Sequence, residues 1–163
     1  MTTDGMTVAG WTDADRDDVI SLIVGIQQGE FGLSITAADQ PDLADVDGFY
    51  RAGGGEFWVA RDDGRVVGTI ALVVFQPCHA AIRKMFVAPS HRGAVGLATT
   101  LMTNLLRSAP THGIEQIWLG TTSVMTTAQR FYARHNFTSV AREELPAAFP
   151  LMTVDSVFFH RTV

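Results

Sequence analysis

The sequence predicts an α/β (α+β) fold of about seven strands and about four helices, in one domain over residues 1–163. Three observations predict it. Short apolar or alternating stretches occur in seven places, and apolar residues recur at helical spacing in four others. Gly, Pro, Asn and Asp punctuate the boundaries between them. A glycine-containing loop also leads from a strand ending at Val87 into an amphipathic helix beginning near Leu97.

Residues 6–11 read as a first strand. Thr12 caps the next helix, with Asp15 three residues on as a weaker capping box. Val19, Leu22, Ile23 and Ile26 follow at helical spacing, and Gly29 is the stop. After a loop over residues 31–41, the spacing predicts a second helix over 42–51, with Leu43, Val46, Phe49 and Tyr50 on one side. Three strands come next, over 56–61, 66–75 and 79–87, separated by the turn signals Asp63-Gly64 and Gln76-Pro77. The long helix after the glycine loop aligns Leu97, Leu101 and Leu105, with Ala98 and Met102 beside them, and ends at Pro110 and Gly113. A strand over 114–120 precedes a helix over 126–135 that turns Ala128, Phe131, Tyr132 and His135 inward. Two closing strands, near 138–142 and 156–161, flank the loop 143–155.

The strongest functional signal is the run Met85-Phe86-Val87-Ala88-Pro89-Ser90-His91-Arg92-Gly93-Ala94-Val95-Gly96-Leu97-Ala98. Such a loop leaves backbone N–H groups free at a helix N-terminus, where the helix dipole favours negative charge. Gly93 and Gly96 allow close approach of the backbone, and Arg92 can grip a phosphate with two parallel hydrogen bonds. A small molecule bearing a diphosphate is the expected ligand. The loop lacks the Gly-Lys-Ser/Thr ending of a nucleoside-triphosphate loop.

Composition bounds the rest. The chain has 163 residues, 47% hydrophobic and 18% charged, with a formal net charge of -5. Cys78 is the only cysteine, so no intrachain disulfide forms and a reducing, cytoplasmic setting is expected. No apolar stretch is long enough to span a bilayer, no signal peptide is indicated, and the acidity argues against nucleic acid. The histidines show no paired metal spacing, so no metal is expected. Charge is unevenly spread. Residues 1–63 carry thirteen acids against Arg16, Arg51 and Arg61; residues 64–142 carry eight Lys or Arg against Glu115 alone. Two readings stay open: one face is merely acidic, or the acidic half attracts a cationic partner while the basic half holds an anionic one.

The element order and the loop together resemble the GNAT superfamily of acetyl-CoA-dependent N-acetyltransferases, most strongly over residues 81–137. Residues 31–55 and 144–158, with Asp39-Gln40-Pro41-Asp42-Leu43 and Val154-Asp155-Ser156, resemble an uncharacterised bacterial subgroup of it. The resemblance implies a mixed central sheet and a coenzyme A site. Arg92, Gly93, Ala94, Val95, Gly96, Leu97 and Ala98 would wrap the pyrophosphate, and Met85, Phe86 and Val87 would pair with the pantetheine arm as if it were an added strand. Ala128, Phe131 and Arg134 would flank the cofactor. Arg92 stands four residues before Gly96 where the family pattern has three, an insertion of one residue. A splay between the strand holding Met85 and the one holding Trp118 is expected to make room. Asn136 replaces the glycine of a Gly-Phe signature, and it tolerates the left-handed helix end.

Tyr132 matches the family tyrosine that returns a proton to the departing CoA thiolate, with a core aromatic as the competing reading. The base is a gap. An alkyl ammonium of pKa about 10.4 must lose a proton before attack, and relatives often use a glutamate where this chain has Ala81. Glu30, Asp39, Asp155 and His79 are the candidates by location. Phe31, with Glu30, Asp39 and Asp155, would face the acceptor, and Trp58, Phe49 and Phe149 could wall it. The implied activity is direct transfer of acetyl from acetyl-CoA to a small-molecule amine, cationic by the charge argument, with CoA as product. A non-catalytic acyl-CoA sensor or partner-binding module, and acetylation of a protein amine, stay open, as does the choice between monomer and homodimer.

Overall fold

A computed structural model describes residues 6–93 and 96–163. Among the described residues, seven strands form one sheet: β1 (Met6–Gly10), β2 (Glu56–Asp62), β3 (Arg65–Gln76), β4 (His79–Val87), β5 (Gln116–Thr121), β6 (Thr138–Val140) and β7 (Val157–Thr162). Their order is β1-β2-β3-β4-β5-β7-β6. Of these strand pairs, only β4–β5 is parallel. The mixed sheet follows from the connections. Asp63 and Gly64 both adopt positive φ, which suits a tight hairpin, whereas β4 and β5 are joined by a helical crossover.

The α-helices of the described residues, α1 (Arg16–Gly29), α2 (Pro41–Ala44), α3 (Leu97–Ser108) and α4 (Thr126–Arg134), pack on the sheet. One face meets α3 and α4: Leu97, Leu101, Met102 and Leu105 are buried against Ile70, Ile82, Ile117 and Leu119. Each such side chain contributes about 1.5–3 kcal/mol by leaving water. The opposite face meets α1 and α2, with Val19, Ile23, Leu43, Val46 and Tyr50 on Phe57, Val59 and Ala71. Further along that face Ala81 and Trp118 meet Phe149 from the loop before β7.

The helix expected over 42–51 is broken. Asp45 ends α2 with φ near -138°, and its carboxylate accepts a hydrogen bond from the Gly48 N–H, which offers the backbone an alternative to helix. A wide turn over Asp47–Arg51 follows. Leu43, Val46 and Tyr50 are buried as predicted, but Phe49 is 44% exposed. The expected strand over 138–142 stops at Val140, and Trp58 belongs to the α3-side core rather than to an acceptor wall. At the end of α4, Asn136 takes φ 65°, as its place in the sequence predicts.

Candidate active site

The sheet opens between β4 and β5. The two strands pair only from His79–Gln116 to Ala81–Trp118. Past that point β4 runs on to Val87 and β5 to Thr121 without pairing to one another. A bulge accompanies the divergence. Two β4 residues, Lys84 and Met85, oppose the single β3 residue Ile70, and Lys84 takes φ 54°. A bulge bends its strand and sharpens the local twist. The backbone groups of β4 that face β5 beyond Ala81 therefore have no strand partner among the described residues.

Side-chain alternation sorts the cleft into two faces. Ala80 and Ile82 point to the α3 side, and Ala81 points to the side of Trp118 and Phe149. Arg83 shares the Ala81 face, because it lies directly opposite Ala71, whose side chain packs with Tyr50 and Phe57. The bulge brings Lys84 to that face as well. Its ammonium is buried, donating to Gln40 Oε1 at 2.6 Å and lying 3.6 Å from Asp42 Oδ2. Asp42 also accepts from the Tyr50 hydroxyl at 2.6 Å, and Gln40 exchanges amide hydrogen bonds with Gln27 on α1. Burial lowers the Lys84 pKa against the pull of Asp42, and burial beside Asp42 drives the Tyr50 hydroxyl above the ordinary phenol range. This network ties α1 and α2 to the bulge.

Across the opening, on the same face, stands Asp155. Gly120 on β5 shares the side of Trp118, and a Cβ built on it would fall 2.5 Å from the Asp155 carboxyl carbon. Only glycine admits a carboxylate this close to the strand. Asp155 is 9% exposed and accepts from the Met152 N–H at 3.2 Å. Burial raises its pKa, outweighing that hydrogen bond and the nearby charges of Arg83 and Arg142. A carboxylate so shifted is a stronger base than one in water.

Tyr132 lies on the other face of the sheet. It packs on Phe137 and Phe159 in the α3-side core, and burial pushes its hydroxyl up to about 12. Among the described residues that hydroxyl has no hydrogen-bond partner. Met85 and Val87 point to this side and Phe86 to the other, the alternation expected from the sequence. At the mouth of the cleft Gly93 and Gly96 adopt φ 75° and 71°, and Gly96 precedes the first turn of α3. A left-handed conformation at both positions favours glycine. Ala94 and Val95 lie outside the described residues. Leu97 is buried, so only its backbone faces the loop, and Ala98 is partly buried. On α4, Phe131 is buried, Ala128 partly so, and the Arg134 guanidinium lies 6.0 Å from the Phe131 ring centre.

Other sequence candidates are placed elsewhere. Arg92, read as a phosphate grip, closes its fork on Glu30 at 2.6 and 2.8 Å, and its Nε donates to Val87 O. The Arg92 hydrogen bonds hold the Glu30 carboxyl below its usual range, which makes it a weaker base than a free carboxylate. Asp39 accepts from the backbone and side chain of Thr36, and those bonds likewise lower it; it is a turn cap. His79 Nδ1 accepts from Trp118 Nε1 at the closed end of the cleft. Phe31 is exposed on the loop after α1.

Much of the acidic half is engaged internally. Asp13 pairs with Arg16, Asp15 with Arg61, Glu30 with Arg92, Asp47 and Glu56 with Arg51, and Asp62 with His91. Asp42 serves Tyr50 and Lys84, while Asp39 and Asp45 cap turns. These pairs reduce the excess of acids on which the expectation of a cationic acceptor rested, but Asp17, Asp18 and Asp63 have no ion-pair partner among the described residues. The feature missed from sequence is Arg83-Lys84 itself. Its signal was present: two adjacent cations in a strand whose neighbours Ala80, Ala81, Ile82, Met85, Phe86 and Val87 are all apolar.

Residues 23–137 match the model of the Acetyltransferase (GNAT) family. An uncharacterized N-acetyltransferase of Mycobacterium bovis is 36% identical over 78 residues, 48% of this chain and 49% of that protein. The chain thus spans about half the length of the curated relatives it matches. Two crystal structures superpose over nearly the whole chain. A GNAT-family acetyltransferase from Staphylococcus aureus Mu50 does so with TM-score 0.90 and 30% identity, covering 96% of this chain and 98% of that one. An acetyltransferase from Streptococcus agalactiae gives TM-score 0.92 and 26% identity, covering 99% and 100%. Among the described residues, no helix is long and apolar enough to cross a membrane.

Proposed function

This chain belongs to the GNAT acetyltransferase family, whose general reaction is acetyl transfer from acetyl-CoA, and on that premise we propose that it acetylates a small-molecule amine with Asp155 as base and Tyr132 as acid. The observation that carries the proposal is the opening between β4 and β5, with the buried Asp155 carboxyl against Gly120 on one face of the sheet and the Tyr132 phenol on the other. Acetyl-CoA supplies the acetyl group as a thioester. The unpaired β4 edge past Ala81 and the left-handed Gly93 and Gly96 fit such a ligand, the first by pairing with amides and the second by bringing backbone N–H groups to phosphates.

In the proposed reaction an amide C–N bond forms and the thioester C–S bond breaks. Asp155 takes the proton that the amine gives up. Tyr132 donates its phenolic proton to the leaving sulfur, and a hydroxyl near 12 is protonated at any working pH. A β4 backbone N–H facing the cleft stabilises the oxygen on which charge develops. Positioning amine and thioester from opposite sides of one opening supplies the remainder by proximity.

The test has two readings. Acetyl-CoA at a hundred times its Kd should stabilise the fold by about 2.7 kcal/mol in a thermal melt. Thiol release should then require an added amine. No shift at saturating acetyl-CoA, or no amine-dependent thiol, refutes the assignment.

A further inference from the structure

The cleft holds one charge that neither the cofactor site nor the proton transfers use. Arg83 lies on β4 two residues past the last β5 pair, on the sheet face that also carries Trp118, Phe149 and the Asp155 carboxyl. It is partly buried, and its guanidinium has no hydrogen bond or ion pair among the described residues. That sets it apart from Arg16, Arg51, Arg61 and Arg92, each of which is paired with a carboxylate. Lys84 beside it is ion-paired with Asp42 and hydrogen-bonded to Gln40, and cannot take a ligand without breaking a buried network. No Arg83 nitrogen is both buried and unsatisfied, so the guanidinium is open to a partner from the cleft. Among the described residues Arg83 is thus a partly buried guanidinium without a protein partner, left open at the cleft on the face of the Asp155 carboxyl.

We propose that Arg83 binds a carboxylate on the acceptor, so that the substrate class is amino-acid-like: a primary amine and a carboxylate on one small molecule. The inference rests on the acetyl-transfer reading and names its acceptor. The guanidinium fork matches a carboxylate through two parallel hydrogen bonds. Arg83 projects from the β4 edge of the opening, and Asp155 stands over Gly120 on the β5 edge. The pair presents a positive and a negative group to one ligand, complementary to a zwitterion whose carboxylate meets Arg83 and whose ammonium meets Asp155. That orientation delivers the amine to its base. A polyamine would instead set a second cation against Arg83.

The test compares L-amino acids, their carboxamides and the matching decarboxylated amines, each supplied singly with acetyl-CoA. It follows kcat/KM for thiol release in the wild type, Arg83→Gln and Arg83→Lys. Wild type should favour an amino acid over its carboxamide by roughly 10- to 100-fold, the worth of a charge-assisted pair. In Arg83→Gln that ratio should collapse towards one, mainly through KM, and Arg83→Lys should recover part of it. Retained stabilisation by acetyl-CoA verifies that each variant is folded. A wild-type ratio near one overturns the proposal, as does a ratio that Arg83→Gln leaves intact. Turnover of decarboxylated amines as fast as amino acids overturns it while acetyl transfer stands. Failure of every amine, without a melting shift from acetyl-CoA, removes the underlying reading and this one together.

Discussion

Gly120→Ala tests the base without touching its chemistry. The Gly120 backbone is not left-handed, so alanine is permitted there by φ, and only space decides the outcome. The added methyl would sit 2.5 Å from Asp155 Cγ and Oδ2 and 3.0 Å from its Cβ. Ordinary contact begins at 3.4 Å, so the carboxyl must retreat by about 0.9 Å. Because Cβ is also too close, a side-chain rotation alone does not relieve the clash, and residues 152–156 must shift with it. Overpacking of this kind costs about 1–3 kcal/mol of stability. Misplacing a reacting group by about 1 Å costs on the order of 10²-fold in rate. Steady-state kcat/KM with a saturating amine, alongside melts with and without acetyl-CoA, separates the two effects. The expected variant is folded, binds acetyl-CoA and is about a hundredfold slower. In an Asp155→Asn background the same substitution should add little further loss, since both act through one group. Wild-type turnover by folded Gly120→Ala, or full additivity with Asp155→Asn, would falsify the role given to Asp155.

Two other outcomes bear on the proton transfers. Tyr132→Phe should lower turnover by about 10²- to 10⁴-fold with acetyl-CoA affinity nearly unchanged; unchanged single-turnover chemistry would return Tyr132 to a purely packing role. Asp155→Asn should abolish the acid limb of the kcat/KM profile, which in the wild type should lie above the ordinary carboxylate range, the direction in which burial moves this carboxyl. Stability should respond in the opposite sense. A carboxyl raised by folding favours the native state at low pH and penalises it as pH climbs through the folded pKa. Asp155→Asn should therefore melt higher than wild type at pH 8 and lose that advantage in acid. A variant that melts lower at both pH values refutes the assigned burial cost.

Local features of the fold were legible because their causes are local. Asp63-Gly64 closes a hairpin, the Asp15 carboxylate accepts from the Thr12 N–H and hydroxyl, and Asn136 ends α4 in a left-handed turn. Leucines three to four residues apart point into the core on α3. The glycine loop and Tyr132 were readable for the same reason: helix starts and helical stripes are written within a dozen residues. The broken helix after Asp42 shows the limit. Asp45 competes for the backbone there, and the register of apolar residues did not record it.

What tertiary structure alone decided is which charges meet. The run of acids before Gly64 carries no information about its partners, and nine of the thirteen are engaged by Arg16, Arg51, Arg61, Lys84, His91 and Arg92 or by hydrogen bonds from turns and from Tyr50. Asp155 became distinct from Glu30 and Asp39 only through Gly120, which lies 35 positions earlier in the sequence and leaves no room beside its own strand. Arg83 was set apart by a one-residue bulge that turns two adjacent cations onto one face and lets a single one find partners. Sequence specifies the periods and punctuation that build elements, since these depend on near neighbours along the chain. The site depends on Coulomb and desolvation energies between groups brought together by packing, and those exist only once the sheet has opened and the loops have closed over it.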